Sequence, residues 1–351
     1  MKNRKIDKKL EKIANEMMKV IRKYMNLRGR SGEEYKEQVE DLVLETIAKY
    51  PELLTFQDKF GKNIGMYAAQ RRLDKIIMLA LDDEIASTQQ DVDGYNIGMY
   101  AAVNEFEYIV LKALDNKKAS NQESAFGSNI GMYAASNGLV EATIKALKDE
   151  EASIHQNKFG ANIGHYAASN GLKRATQIAL ENPISATQQD MAGRNIGMLC
   201  AICQLEDLTL FALDNKKATI QQDKDGNNIG MHCALNKLSE TSRKALYNEE
   251  ASIQQDNLGR NIGMICAENR MGEQVALALN NEIAVIQKDI NGCNIGMISA
   301  KVGLKNLAYM AMFNKEATAQ KDLLGKTIMD YVTERKNSKM LESSQETPFQ
   351  E

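Results

Sequence analysis

The sequence predicts an all-α chain: an α-solenoid of about nine 33-residue helix–turn–helix repeats with short hairpin turns and a helical N-terminal cap. Three observations carry this reading. Asn-Ile-Gly recurs with its asparagine at Asn63, Asn96, Asn129, Asn162, Asn195, Asn228, Asn261 and Asn294, every step being 33 residues. A strict period of this length marks one stacked supersecondary unit. In front of each copy stands a turn signature, a polar residue three before a glycine, as in Asp91-Val-Asp-Gly94. Behind each copy, apolar residues recur at helical spacing.

Each element of the unit follows from its residues. Asp58, Asp91, Asp190, Asp223, Asp256, Asp289 and Asp322 open type I turns, with Ser124 and Asn157 in the two remaining copies. The repeated asparagine is a favoured N-cap. The run Ile-Gly-Met-Tyr-Ala-Ala then gives a short first helix whose small residues allow close approach of a neighbour. A break, Ser136-Asn137-Gly138 in one copy, leads to a second helix from Leu139 to about Lys148, with Leu139, Ala142, Ala146 and Leu147 on one face. Asp83, Asn116, Asp149, Asn182, Asn215, Asn248, Asn281 and Asn314 share the next column and read as C-caps, because Asn tolerates the left-handed conformation that ends helices.

Glycine in a first turn costs roughly 1 kcal/mol against alanine, yet it occupies that place in eight copies, as at Gly131. A methionine follows it in all but one. The expectation is a paired exchange at the stacking seam, in which glycine gives up volume and flexible methionine refills it.

Turn, short helix, second helix and 33-residue spacing resemble the ankyrin repeat over about residues 31–335. The family's Thr-Pro-Leu-His-x-Ala-Ala segment aligns with Asn-Ile-Gly-Met-Tyr-Ala-Ala, and only His165 restores the family's histidine. Thr327-Ile-Met-Asp-Tyr331 resembles the family's capping repeats. The resemblance implies a protein-interaction scaffold that binds through hairpin tips and inner helix ends.

The organisation expected is a helical N-terminal cap with a degenerate repeat over 1–57, eight repeats over 58–321, a C-terminal capping repeat over 322–338 and a disordered acidic tail over 339–351. In the cap, Ile6, Leu10, Ile13, Met17, Ile21 and Tyr24 mark one face of a helix over about 4–26, and Ser31 is the N-cap of the next element. Residues 1–30 hold 11 Lys or Arg against three acids, a net +8. That charge fits a solvated outer face, or association with an anionic membrane surface or an acidic partner.

Composition narrows the function. Net charge is −3, hydrophobic residues make up 43% and aromatics 6%, so no global pull toward nucleic acid exists. No apolar run approaches the roughly 18 residues of a membrane span. The N-terminus lacks an apolar signal-peptide core, and the cysteine count is odd at five, which predicts reduced thiols and a cytoplasmic protein. Cys200-Ala-Ile-Cys203 matches C-x-x-C, but Cys200, Cys233 and Cys266 fall in a column of small core residues. His155, His165 and His232 have no acid or nucleophile at a repeated offset, so neither catalysis, cofactor nor metal is expected. The methionine column reads as core.

The turn tips differ from the rest: their frame is strict and their content variable. Aromatics and arginines are the usual hot-spot residues, so Phe60, Tyr95, Phe126, Phe159, Arg194, Leu258 and Arg260 are the candidate partner-binding residues, with Arg71 and Arg72 at an inner helix end. The expected function is a non-enzymatic, monomeric interaction scaffold for another protein. An alternative is a bacterial effector secreted into a host cell cytosol, since ankyrin-like chains are frequent among such effectors and the tail ESSQETPFQE is similar to type IV secretion signals.

Overall fold

A computed structural model describes residues 8–23 and 32–345. Among them every regular element is helical and no strand occurs. The chain divides into two compact units, Met1–Ala179 and Leu180–Glu351, and the division falls within the helix Lys173–Glu181.

The first unit opens with the helix Lys8–Lys23, whose Ala14, Met18 and Ile21 are fully buried. The flanks of the longer expected helix, and Ser31, lie outside the described residues. Helix Gly32–Lys49 follows, with Val43 and Ile47 buried, and then a 3-10 turn, Pro51–Leu54. Four first helices are next, Ile64–Ala69, Ile97–Val103, Ile130–Ser136 and Ile163–Ser169; each of the first three is packed on the one after it and on its own second helix, Asp74–Asp82, Glu107–Ala113 or Val140–Leu147. The second unit repeats the pattern with first helices Ile196–Ile202, Ile229–Leu235, Ile262–Glu268 and Ile295–Val302.

The asparagine N-caps form as expected. Asn96 Oδ1 accepts from Met99 N at 3.0 Å, and the same contact recurs from Asn63 to Asn294. The side chain does more than cap. Its amide donates to Ala119 O at 2.8 Å and to Gln122 Oε1 at 2.9 Å, and Gln122 Nε2 in turn donates to Thr88 O of the preceding repeat. The relay repeats in the second unit, through Asn228, Gln254 and Ile220 O for example. A buried amide with every donor engaged is strongly position-specific, because losing a partner leaves a desolvated polar group.

The glycine column is the stacking seam, with a different filler from the one expected. A Cβ on Gly131 would lie 2.6 Å from Ala146 Cβ and 2.6 Å from Ile163 Cδ1 of the next repeat. Isoleucine, not methionine, takes the space that glycine vacates. The methionines are nonetheless core, Met66 through Met297 being at most 1% exposed.

Two expectations are corrected. The Asn/Asp column does not end the second helix in a left-handed C-cap. Asn116 has φ −88° and caps a third, short helix, Lys117–Ser120, accepting from Lys118 N and Ala119 N. Asp149 starts Glu150–Ile154 in the same way, and Asn248 starts Glu249–Ile253. The oxygen of Asn or Asp suits an N-cap as well as its amide suits αL, and the following Lys-Lys-Ala or Glu-Glu-Ala favours helix. Disorder from 339 is also corrected: the last helix is Ile328–Gln345, since neither Gly nor Pro stands between Lys336 and Gln345. Residues 346–351 lie outside the described residues.

Candidate interaction surface

The turns are built alike. Asp58 Oδ1 accepts from Phe60 N at 2.9 Å and Lys62 N at 3.0 Å, and Gly61 N donates to Asp58 O at 2.9 Å. Gly61 sits at φ 75°, and a Cβ there would come within 2.9 Å of Asp91 Cα in the next turn. Successive turns are tied together: Val92 N donates to Phe60 O at 3.0 Å, and Gln57 Nε2 reaches both Gly61 O and Gln90 O. Backbone held from four directions presents its tip side chains with little ordering left to do on binding.

One oxygen of the turn carboxylate remains, and in the first unit it is met from the first helix. Tyr67 donates to Asp58 Oδ2 at 2.6 Å and Tyr100 to Asp91 Oδ2 at 2.5 Å. Burial first, then this hydrogen bond, pushes the Tyr67 phenol up to about 12. In the second unit Leu199 and Ile265 stand in the tyrosine column. There Arg194 Nε and Nη2 donate to Asp190 Oδ2 at 2.9 and 2.7 Å, and Arg260 does the same to Asp256 while also bridging Glu268 at 2.9 Å. His232 Nε2 lies 2.8 Å from Asp223 Oδ2.

The sequence-nominated residues therefore fall into three groups. Phe60, Phe126, Phe159 and Leu258 are tip side chains between 45% and 52% exposed. Phe126 and Phe159 stack, with centroids 6.2 Å apart, and Lys59 Nζ sits 4.9 Å from the Phe60 ring. Arg194 and Arg260 hold their own turns, as just described. Tyr95 is half-buried, its hydroxyl 2.8 Å from that of Tyr133. Arg72 donates to Asn104 O at 3.1 Å and lies over Phe106, while half-buried Arg71 donates to Gln70 O. The sequence reading passed over Val92, Ile290, Leu323 and Leu324, which are tip residues 59–77% exposed. It also passed over the tyrosine column, although Arg194 and Arg260 occur only in copies where that column is aliphatic.

Of the remaining candidates Cys203 is exposed, and those that follow are taken up in the frame. Cys200, Cys233 and Cys266 are fully buried, and burial pushes the Cys233 and Cys266 thiols up to about 12. His165 is buried and completes the capping box of its helix. His155 Nε2 contacts Gly127 O at 2.7 Å. No group of three or more metal-ligating side chains occurs among the described residues, and none of their helices is long and apolar enough to cross a membrane. The apolar face of the basic N-terminal helix is buried, which leaves its charged face exposed. A cleft of about 400 Å³ lies between that helix and the first turn, with Glu11, Asn15, Arg22 and Phe60 among its walls.

No protein-family model matches the chain, and no curated protein matches it.

Proposed function

We propose that the chain is a non-enzymatic interaction scaffold of the ankyrin-repeat type, an α-solenoid that binds another protein through its turn tips. The observation that carries this reading is the pairing of a fixed frame with apolar, half-exposed tips. Asx bonds, left-handed glycines and turn-to-turn bonds hold the backbone, while Phe126 and Phe159 remain about half exposed. Rigid aromatic anchors contribute the most binding energy per side chain. A non-catalytic reading is supported by the placement of Cys200, Cys233, Cys266 and the imidazoles, which are core or turn-holding groups. Charged attraction through the N-terminal helix is the weaker reading, because the apolar face a membrane would take is occupied by the first repeat.

The test is affinity purification with mass spectrometry, using the wild-type chain and Phe126→Ala/Phe159→Ala as baits. Truncating an aromatic anchor costs about 2 kcal/mol or more, and about 1.4 kcal/mol is tenfold. Specific partners are expected to fall by about tenfold or more. Matching profiles for the two baits would remove the tips from the site.

A further inference from the structure

The third helices begin with residue pairs that follow a longer cycle than the repeat itself. In order they are Glu84-Ile85, Lys117-Lys118, Glu150-Glu151, Pro183-Ile184, Lys216-Lys217, Glu249-Glu250, Glu282-Ile283 and Lys315-Glu316. The order isoleucine, basic, acidic returns every three repeats, and it places a Lys-Lys pair one repeat before a Glu-Glu pair twice, 99 residues apart.

In the first unit that step is bridged. Lys117 Nζ lies 3.8 Å from Asp149 Oδ2, and Asn121 Nδ2 donates to Glu151 Oε2 at 2.7 Å. In the second unit Asn248 stands where Asp149 stood, and Ile220 where Asn121 stood. One bond of the step is kept, Lys244 Nζ to Asp214 at 2.6 Å, matching Lys145 to Asp115 at 2.6 Å. The other two have no counterpart. Among the described residues, no ion pair within 4.0 Å engages Lys216, Lys217, Glu249 or Glu250. A groove of about 660 Å³ opens there. Lys216 and Lys217 line it together with Glu249 and Glu250, beside the paired Lys244 and Asp214; Ile220 and Tyr247 supply apolar surface, Tyr247 being 64% exposed.

We propose that this groove docks a short segment of a partner protein in which an acidic side chain, an apolar or aromatic side chain and a basic side chain follow one another. The acid meets Lys216 and Lys217, the base meets Glu249 and Glu250, and the middle side chain covers Ile220 against Tyr247. Charge complementarity selects such a segment over one of a single sign, because the wrong-sign end meets like charge. The volume lies within the range of pockets that hold drug-sized ligands, about 300–1,000 Å³. The proposal rests on the scaffold reading and gives one partner segment its chemistry, at a place separate from the aromatic tips.

The test uses the full-length chain and four acetylated, amidated pentapeptides: Asp-Gly-Phe-Gly-Lys, its all-acidic and all-basic counterparts, and Asp-Gly-Gly-Gly-Lys. Amide shifts are followed by two-dimensional NMR at low salt. The mixed-charge phenylalanine peptide is expected to shift amides of residues 213–220 and 244–250, with an affinity about tenfold or more above the other three. Rebuilding the first unit's bridges with Ile220→Asn/Asn248→Asp is expected to close the groove and reduce the affinity about tenfold. Tyr247→Lys, at an exposed position where the first unit has Lys148, gives the same reading should the double variant fail to fold. No shifts at these residues, equal affinity for all four peptides, or binding undiminished by both variants would overturn the groove. That result would leave the tip test untouched, and matching bait profiles in the tip test would leave the groove standing.

Discussion

The first unit holds its turn carboxylates with phenols, whereas two turn carboxylates of the second unit take a guanidinium. Asp58 and Asp91 take a tyrosine hydroxyl, whereas Asp190 and Asp256 take a guanidinium and Asp223 an imidazole. The backbone frame is the same in both: Oδ1 accepts two N–H groups and glycine adopts positive φ. What the fold demands is therefore one more donor to Oδ2, and the sequence supplies it from either of two places. It comes from the first helix when the fourth residue after the asparagine is polar, and from the turn itself when that residue is aliphatic.

The largest difference between the units is expected on removing the carboxylate. Asp91→Ala abolishes the Asx bonds and frees a neutral phenol. Asp256→Ala abolishes the same Asx bonds but strands Arg260 instead of a phenol, and that side chain is 19% exposed. Stranding a charge of a largely buried pair costs about 3–5 kcal/mol, and leaving a neutral group unsatisfied costs about 1–3 kcal/mol. Urea melts followed by circular dichroism should rank Asp256→Ala as the more damaging change. Equal losses would mean that Arg260 finds full compensation in Glu268.

Next in size is Tyr100→Phe, which leaves Asp91 Oδ2 without its phenol and is expected to cost about 1–2 kcal/mol, with no dependence on salt. The pH arms separate the units further. Burial alone would raise the Asp190 carboxyl, but the Arg194 guanidinium and the turn N–H groups outweigh it and hold it below the usual range. A carboxyl held low adds stability above its unfolded value, about 3.9, and that stability is lost as pH falls through the folded value. Tyr67 has the opposite sign. Its contribution is complete below about pH 10 and is lost as pH rises through the folded value of about 12. Urea midpoints against pH should therefore show a shallower acid arm, below about pH 4, in Arg194→Met. Tyr67→Phe should flatten the alkaline arm. Unchanged arms would assign the pH dependence to other groups.

Much of the fold was legible because period and turn chemistry are local. Asp or Asn followed by a glycine three residues on fixes a turn, and the asparagine cap needs only the next three residues. The third helix was not legible, because Asn116 suits a helix end and a helix start equally and only the surrounding packing decides. The filler of the seam was hidden for a related reason: Ile163 lies 32 positions from Gly131 in the sequence, and nothing local shows that they meet. At the candidate site, Phe126 and Phe159 were visible as variable tips. Arg194 and Arg260 were read as free hot spots because an exposed arginine and a turn-holding arginine look alike until the tyrosine column is read beside them.

The smallest expected effect concerns the break between first and second helices. In the first unit Gly138 and Gly171 take the left-handed conformation there, beside Arg72 and Glu105 at φ 61° and 62°; in the second Gly303 does, while Gln204, Lys237 and Arg270 adopt φ of 58°. A side chain with a Cβ pays about 1–2 kcal/mol for left-handed backbone, and glycine gives back about 0.5–1 kcal/mol through its freer unfolded chain. Lys237→Gly is thus expected to stabilise by about 0.5–1 kcal/mol. The Gly138→Ala change should destabilise by a similar or larger amount, since its missing Cβ meets nothing within 4 Å and only the dihedral matters. Opposite shifts in the urea midpoint would show that these two breaks differ in strain alone. A loss of stability in Lys237→Gly would mean that the lysine stem contributes packing that outweighs the strain.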